Sequence, residues 1–112
     1  MKFNNKTMKF KEINKGFDVY EYSEDFSKFP MDGAIIEMNS IFGPKKNKFV
    51  ELFFVLDGTL DIEMNDKNYT LEKDDMFIIL EDVAHTVTGK NARVLIVCNP
   101  PFKPSNIEML NN

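Results

Sequence analysis

Three side chains in this sequence have the types and the spacing to do chemistry together. His85 is the single histidine of the 112 residues, Glu51 stands inside the apolar segment 49–56, and Lys46 lies in a basic stretch just before it. An imidazole can bind a metal or move a proton, a carboxylate can orient that imidazole, and an ammonium can hold an anionic group. A lone histidine on a strand also often serves as buried packing, so the surrounding fold decides its role.

The composition is that of one small domain. Hydrophobic residues make up 43% of the chain and charged residues 29%, which is typical of a soluble globular protein with one moderate core. The net charge of −4 argues against nucleic acid or an anionic membrane as the main partner, because both require a basic surface. The single cysteine, Cys98, excludes an internal disulfide, and neither an apolar leader nor a long apolar run is visible, so we expect a cytoplasmic protein.

Short apolar segments separated by turn residues predict an all-β chain. Segments with alternating or β-branched apolar residues occur at 16–22, 33–42, 49–56, 59–64, 68–71, 76–80, 84–88 and 92–98. Asn65-Asp66-Lys67 and Gly89-Lys90-Asn91 have the composition of hairpin turns. Closely spaced strands without a long helical pattern predict an antiparallel barrel or sandwich.

The two ends of the chain and the basic stretch are expected outside this core. The predicted organisation is an N-terminal arm or edge strand at 1–15, the barrel at 16–104 and a C-terminal tail at 105–112. Ser105 and Glu108 have capping-box spacing, which predicts a short final helix. The glycine, proline and lysines around Lys46 favour a solvated loop.

Two stretches of the sequence resemble the two motifs of the cupin family. ELFFVLDG (51–58) is similar to the end of the first motif, with a glutamate, six mostly apolar residues and a glycine at a hairpin turn. LEKDDMFIILEDVAHTV (71–87) resembles the second motif, which ends in a histidine. CNPPF (98–102) is similar to the way small cupins leave their last strand. Over residues 33–102 the resemblance implies an antiparallel jelly-roll β-barrel.

The sequence departs from the family at the metal-binding positions. Counted from Glu51, the positions of the family's His-x-His pair fall on Pro44 and Lys46, so only Glu51 and His85 remain of the four usual ligands. A catalytic metal generally needs at least three protein ligands, and a third would have to come from a residue such as Cys98 or Glu37. We therefore expect no cofactor; a divalent metal on Glu51 and His85 is the alternative.

The resemblance also implies where the candidate residues lie. In a cupin, Glu51 and His85 would approach each other inside the barrel and form a hydrogen bond. The carboxylate would raise the pKa of His85, and burial would lower it. Lys46 would face an anionic ligand where the metal charge would have been, and Phe53 and Phe77 would shape the pocket. The open alternatives are a position of Glu51 at the barrel mouth and solvent exposure of Lys46.

Three functions follow from this arrangement. The first is a non-catalytic cupin that binds a small molecule such as a sugar or another small anionic metabolite. The second is a metal-independent isomerase or epimerase in which His85 moves a proton and Glu51 orients it. The third is a metalloenzyme with an unusual ligand shell. The fold class further predicts a homodimer, formed through a sheet face or through exchange of the segment 8–13.

Overall fold

Antiparallel strands form nearly all of the computed structural model, which describes residues 8–22 and 30–110. Within these ranges there are nine strands: β1 (Lys9–Asn14), β2 (Phe17–Glu21), β3 (Asp32–Met38), β4 (Ile41–Asn47), β5 (Val50–Met64), β6 (Lys67–Leu71), β7 (Met76–Ile79), β8 (His85–Asn99) and β9 (Ile107–Met109). They curl into a single antiparallel sheet, which confirms the predicted all-β jelly-roll class. No helix in the described part of the chain is long and apolar enough to cross a membrane.

The long strand β8 organises the sheet. One edge of β8 pairs with β5 along almost its whole length, and the other edge pairs with β4 near His85 and with β3 beyond Ala92. Strand β5 continues the sheet to β6 and β7. Strands β2 and β1 extend it beyond β3, and β9 adds to β4. Most of β8 thus lies between two neighbouring strands, which suits its β-branched and apolar composition.

Alternation along the strands builds the core, and in β5 the buried positions change from odd to even numbers at the irregularity around Gly58. In β5 the inward side chains are buried and the outward side chains are partly exposed, as expected when the two faces of a strand meet different environments. The concave side holds an apolar cluster of twelve buried residues: Phe17, Ile36, Met38, Phe53, Val55, Leu60, Ile62, Leu71, Ile79, Val87, Ala92 and Val94. Full burial of each large apolar side chain contributes roughly 1.5–3 kcal/mol, so this cluster dominates the stability of the sheet.

Two predicted hairpin turns are not turns in the structure. The segments 49–56 and 59–64 belong to the single strand β5, and 84–88 and 92–98 belong to the single strand β8. Both strands bend at the same level, where Gly58 has a φ of 73° and Asn91 a φ of 47°. The pairing register shifts around Asp57, which marks an irregularity that bends a strand without ending it. Gly58 therefore bends a strand where the resemblance had placed a hairpin.

The turn at Asn65 and Asp66 is confirmed. Both residues have positive φ, of 54° and 61°, and Met64 pairs directly with Lys67 across the turn. Positive φ at both central positions is the geometry that matches the twist of a two-residue hairpin, and asparagine and aspartate tolerate it better than most residues.

The C-terminal helix prediction is wrong. Pro104–Asn106 form one short 3-10 turn without a side-chain cap, and Ile107–Met109 form β9. Strand β9 pairs with Lys45–Asn47 of β4, so hydrogen bonds between the two strands satisfy the backbone N–H and C=O groups that a helix would have paired internally. The prediction of a loop around Lys46 is also wrong, because Ile41–Asn47 is a strand. The segment 33–42 is also divided between β3 and β4. At the other end of the chain, Lys9–Asn14 form the edge strand β1.

Candidate functional site

A cavity of about 560 Å³ opens on the concave side of the sheet. Most of its wall is apolar, with Phe17, Phe42 and Phe53 among the residues that line it. Its polar residues include Lys45 and Glu51. The volume lies within the range of small-molecule sites, in which an apolar wall and a few polar groups fix a ligand.

Four polar side chains are buried around one end of this cavity. Lys45 is 4% exposed, Asn47 1%, Glu51 5% and His85 2%. Lys45 and Asn47 come from β4, Glu51 from β5 and His85 from the first position of β8. We call these four residues the polar cluster. Buried polar groups are costly unless they have partners, so the contacts within the cluster carry information about its role.

Three members of the polar cluster contact the same oxygen of Glu51. The amide of Asn47 donates a hydrogen bond of 3.1 Å to Oε1. The ammonium of Lys45 lies 3.8 Å from Oε1, and Nε2 of His85 lies 3.8 Å from it as well. No hydrogen bond or ion pair found among the described residues engages the second oxygen, Oε2. Glu51 thus keeps one carboxylate oxygen available to a ligand in the cavity.

The hydrogen bond of His85 defines its tautomer. Nδ1 lies 2.8 Å from the carbonyl oxygen of Val83, and since a carbonyl oxygen only accepts, Nδ1 carries the proton. Burial lowers the pKa of His85 below its ordinary value, and Lys45 lowers it further. The hydrogen bond to Val83 and the charge of Glu51 act in the opposite direction. In the neutral ring Nε2 is an acceptor, and it has no hydrogen-bond partner in the described part of the chain.

A bulge in β4 sets the direction of Lys45. The pairing of β4 with β8 shifts between Phe42 and Lys45, so Phe42 pairs with Val87 and Lys45 pairs with His85. Gly43 lies inside this bulge with a φ of 125°, and a Cβ atom there would come within 2.8 Å of the carbonyl oxygen of His85. Only glycine fits this close approach, and the bulge then turns Lys45 towards Glu51.

The position predicted for Lys46 was wrong by one residue. Lys45 and not Lys46 faces the interior, while Lys46 pairs with Glu108 of β9 and lies outside the cavity. The buried polar residues that precede Glu51 are Lys45 and Asn47. One residue separates them, as in a His-x-His pair. Counting in steps of two from Glu51 along β4 and β5 identifies both residues, since inward side chains alternate. The family spacing counted from Glu51 falls instead on the even-numbered positions 44 and 46, whose side chains are not on this face.

The other predicted site residues separate into two groups. Phe53 lines the cavity beside Glu51. Phe77 pairs with Phe53 across β5 and β7 but packs on Tyr69, with the ring centroids 5.0 Å apart, and it is not among the cavity-lining residues. His85 is also absent from the lining and lies behind Glu51. The structure thus brings Nε2 of His85 to 3.8 Å from Glu51, too far for the expected hydrogen bond, and leaves Glu51 as the member that faces the cavity.

Cys98 lies beside Glu51 in the cavity wall. It pairs with Glu51 across β5 and β8 and is buried. Burial raises the pKa of the Cys98 thiol strongly, and the charges of Glu51 and Asp32 raise it further. The thiol therefore stays protonated and is a poor metal ligand or nucleophile.

The polar cluster does not fit the family's metal site. In the described ranges, no three side chains of histidine, cysteine, aspartate or glutamate come together in a way that could hold a metal ion. The ammonium of Lys45 lies 3.8 Å from the carboxylate that would be a ligand, and a second cation there would meet its repulsion. We therefore derive no chemistry through a metal.

Comparisons with solved structures show the same fold at low sequence identity. A Streptomyces PAC13 variant solved with uridine has a TM-score of 0.83 and 12% identity, covering 98% of this chain and 90% of that one. KdgF from Halomonas sp. has a TM-score of 0.74 and 13% identity, covering 89% and 94%. Ectoine synthase from P. lautus has a TM-score of 0.65 and 14% identity, covering 88% and 78%. Pac13 is described as a nucleoside dehydratase.

The sequence itself also matches a family model. The comparison with curated proteins finds no match. The model described as a cupin domain matches residues 36–98, which include all four members of the polar cluster. This match agrees with the motif glutamate and histidine and with their proximity in the sheet. The chain therefore belongs to the cupin family.

Proposed function

We propose that this protein binds a small polar metabolite in the cavity without the family's three-histidine metal site. The state of Lys45 carries the proposal. The residue is 4% exposed, and its ammonium lies 3.8 Å from Glu51 and 4.6 Å from the centre of the Phe42 ring, without a hydrogen bond to another described residue. A buried ammonium has three donors to satisfy, so an anionic or carbonyl oxygen of a ligand is the partner that this site lacks.

The chemistry of the wall defines the ligand further. Lys45 suits a carboxylate or carbonyl oxygen, and Oε2 of Glu51 suits a hydroxyl or N–H group. Phe17, Phe42 and Phe53 offer apolar surface to a ring or a carbon chain. A sugar acid or another small hydroxylated anion combines these features. The uridine bound by the PAC13 variant is also a hydroxylated ring compound, which supports a ligand of this kind.

Binding to two probes tests the proposal. We expect D-glucuronate or uridine to shift the amide NMR signals of cavity residues, and Lys45→Met to weaken that binding at least tenfold. Lys46→Met is the matched control, because it removes the same charge one residue away on the other face of β4, and it should bind like the natural protein. Binding that depends on Lys46 and not on Lys45, or no binding of either probe, would contradict the proposal.

The second candidate is a metal-independent isomerase or epimerase that uses Glu51 and His85. One observation favours it: Asn47 and Lys45 hold Oε1 of Glu51, which leaves Oε2 free to take a proton from a bound ligand. In this arrangement Glu51 moves the proton and Asn47 and Lys45 orient Glu51, with neutral His85 packed behind it, whereas the sequence analysis expected His85 to move the proton. Glu51→Gln keeps the size of the side chain and removes the base, so it should abolish turnover while any ligand still binds.

We also propose a homodimer of this chain in the cytoplasm. Strand β1 ends the sheet, and all six of its residues are exposed, which leaves a backbone edge available to a second copy. Phe10 of β1 packs on Tyr20 of the neighbouring strand β2, at the same end of the sheet. Light scattering coupled to size exclusion should give twice the mass of one chain. A mass equal to one chain would disprove the dimer.

A further inference from the structure

A second carboxyl group stands opposite Glu51 in the cavity. Across the sheet, Asp32 of β3 pairs with Cys98 of β8, and Cys98 pairs with Glu51 of β5. All three line the cavity. Two strand spacings separate the Cα atoms of Asp32 and Glu51, which is roughly 10 Å. The two carboxyl groups therefore face the same space with the small Cys98 side chain between them.

The surroundings of the two carboxyl groups differ. Glu51 lies beside the ammonium of Lys45, with 3.8 Å between Nζ and Oε1. Asp32 forms no ion pair with a cationic side chain of the described residues and accepts a hydrogen bond of 2.9 Å from the backbone N–H of Phe102. Burial raises the pKa of Asp32 above its ordinary value, and Glu21 adds to this. Two carboxyl groups held in different environments are the arrangement in which one acts as a base and the other as an acid.

We propose that Asp32 is the second acid–base group of this site and that the substrate is a hydroxy-carbonyl compound bound between Asp32 and Glu51. The proposal rests on the proposed function, since it takes the same cavity and the same role of Lys45 in holding an oxygen. It also supplies the group that the sequence did not reveal, a second proton carrier opposite Glu51. Asp32 touches the substrate and is therefore a catalytic residue.

The reaction is the elimination of water from a β-hydroxy carbonyl compound. The carboxylate of Glu51 takes the proton on the carbon next to the carbonyl, and the electron pair of that C–H bond forms an enolate whose oxygen lies against Lys45. The carbonyl then re-forms, a carbon–carbon double bond is made, and the bond to the β-hydroxyl breaks. The departing oxygen takes a proton from Asp32 and leaves as water. Glu51 then holds one proton and Asp32 lacks one, and exchange with solvent resets both without an oxidant or reductant.

Asp32 also has a structural contact, and the test must separate the two roles. Its carboxylate anchors the segment after β8 through the N–H of Phe102. Asp32→Asn retains an oxygen that accepts this hydrogen bond and removes the acidic proton. Glu37→Gln is the matched control, because Glu37 lies on the same strand but on the outer face, where it pairs with Arg93 at 3.1 Å.

The experiment follows D-glucuronate, D-galacturonate and D-glyceraldehyde in D₂O with the full chain. Proton NMR measures exchange of the hydrogen next to the carbonyl, mass spectrometry measures the dehydrated product, and amide NMR shifts measure binding of the same probes. We expect one probe to exchange and to lose water. Glu51→Gln should slow both steps by about 100-fold or more, the typical contribution of a general base, and Glu37→Gln should change neither. Asp32→Asn should leave exchange within threefold and slow dehydration by about 100-fold or more.

Each of the other outcomes overturns a specific part of the proposal. Dehydration that persists in Asp32→Asn overturns the role of Asp32. Binding without exchange or dehydration overturns the reaction and leaves the proposed binding function intact. The absence of binding by any probe overturns both.

Discussion

The ion pair between Lys45 and Glu51 offers the sharpest test of the site. Both side chains are at most 6% exposed, and their charged atoms lie 3.8 Å apart. Removal of one partner from a buried pair leaves an uncompensated charge and typically costs 3–5 kcal/mol. We expect Lys45→Met to cost about 3 kcal/mol, the lower end of that range, because Glu51 keeps the hydrogen bond from Asn47.

A double-mutant cycle measures the pair itself. Glu51→Gln alone should cost a similar amount, since Lys45 then lacks its counter-charge. The double variant, with Met at 45 and Gln at 51, should cost clearly less than the sum of the two single changes, because no unpaired charge remains. Lys46→Met should change the free energy of unfolding by less than about 0.5 kcal/mol, as is usual for a surface substitution.

Urea denaturation followed by far-UV circular dichroism is the assay. The chain contains no tryptophan, so the sheet signal reports unfolding more directly than fluorescence. In a thermal scan, a loss of 3 kcal/mol should lower Tm by roughly 12–20 °C for a domain of this size. Equal effects of the Lys45 and Lys46 changes, or strictly additive effects of the Lys45 and Glu51 changes, would refute the buried pair.

Two further predictions concern His85 and metal binding. Burial lowers the pKa of His85, so the unfolded chain binds a proton that the folded chain does not, and stability should be complete above about pH 6.5 and decline as the pH falls below it, by at most about 1.4 kcal/mol per pH unit. Because His85 is the single histidine, its ring signals in NMR are unambiguous; they should report a neutral ring protonated at Nδ1 at pH 6.5, and a midpoint at or above 6.5 would contradict this. Plasma mass spectrometry of untagged protein should find no near-stoichiometric metal, and metal that is present and lost in His85→Ala would contradict the role given to Lys45.

The alternation of apolar residues made the all-β class predictable. The motif spacing also made the meeting of Glu51 and His85 predictable, although not which of the two faces the cavity. The hairpin turns predicted at Gly58 and Gly89 are absent, because glycine beside polar residues is equally suited to a hairpin and to a bend within a paired strand. Only the pairing with a neighbouring strand distinguishes a hairpin from a bend, and β5 and β8 pair with each other on both sides of the bend.

What the sequence by itself determined is the set of chemical groups: one imidazole, one thiol, and too few ligands for a three-histidine metal site. Local pattern also placed Glu51 on an apolar strand. The tertiary structure decided which groups share the cavity. The bulge at Gly43 turns Lys45 inward, and the pairing of β3 and β5 with β8 sets Asp32 opposite Glu51 from 19 positions away. Such contacts depend on register between distant strands, and a shift of one residue reverses every side chain, so they follow from the packed sheet and not from any single segment.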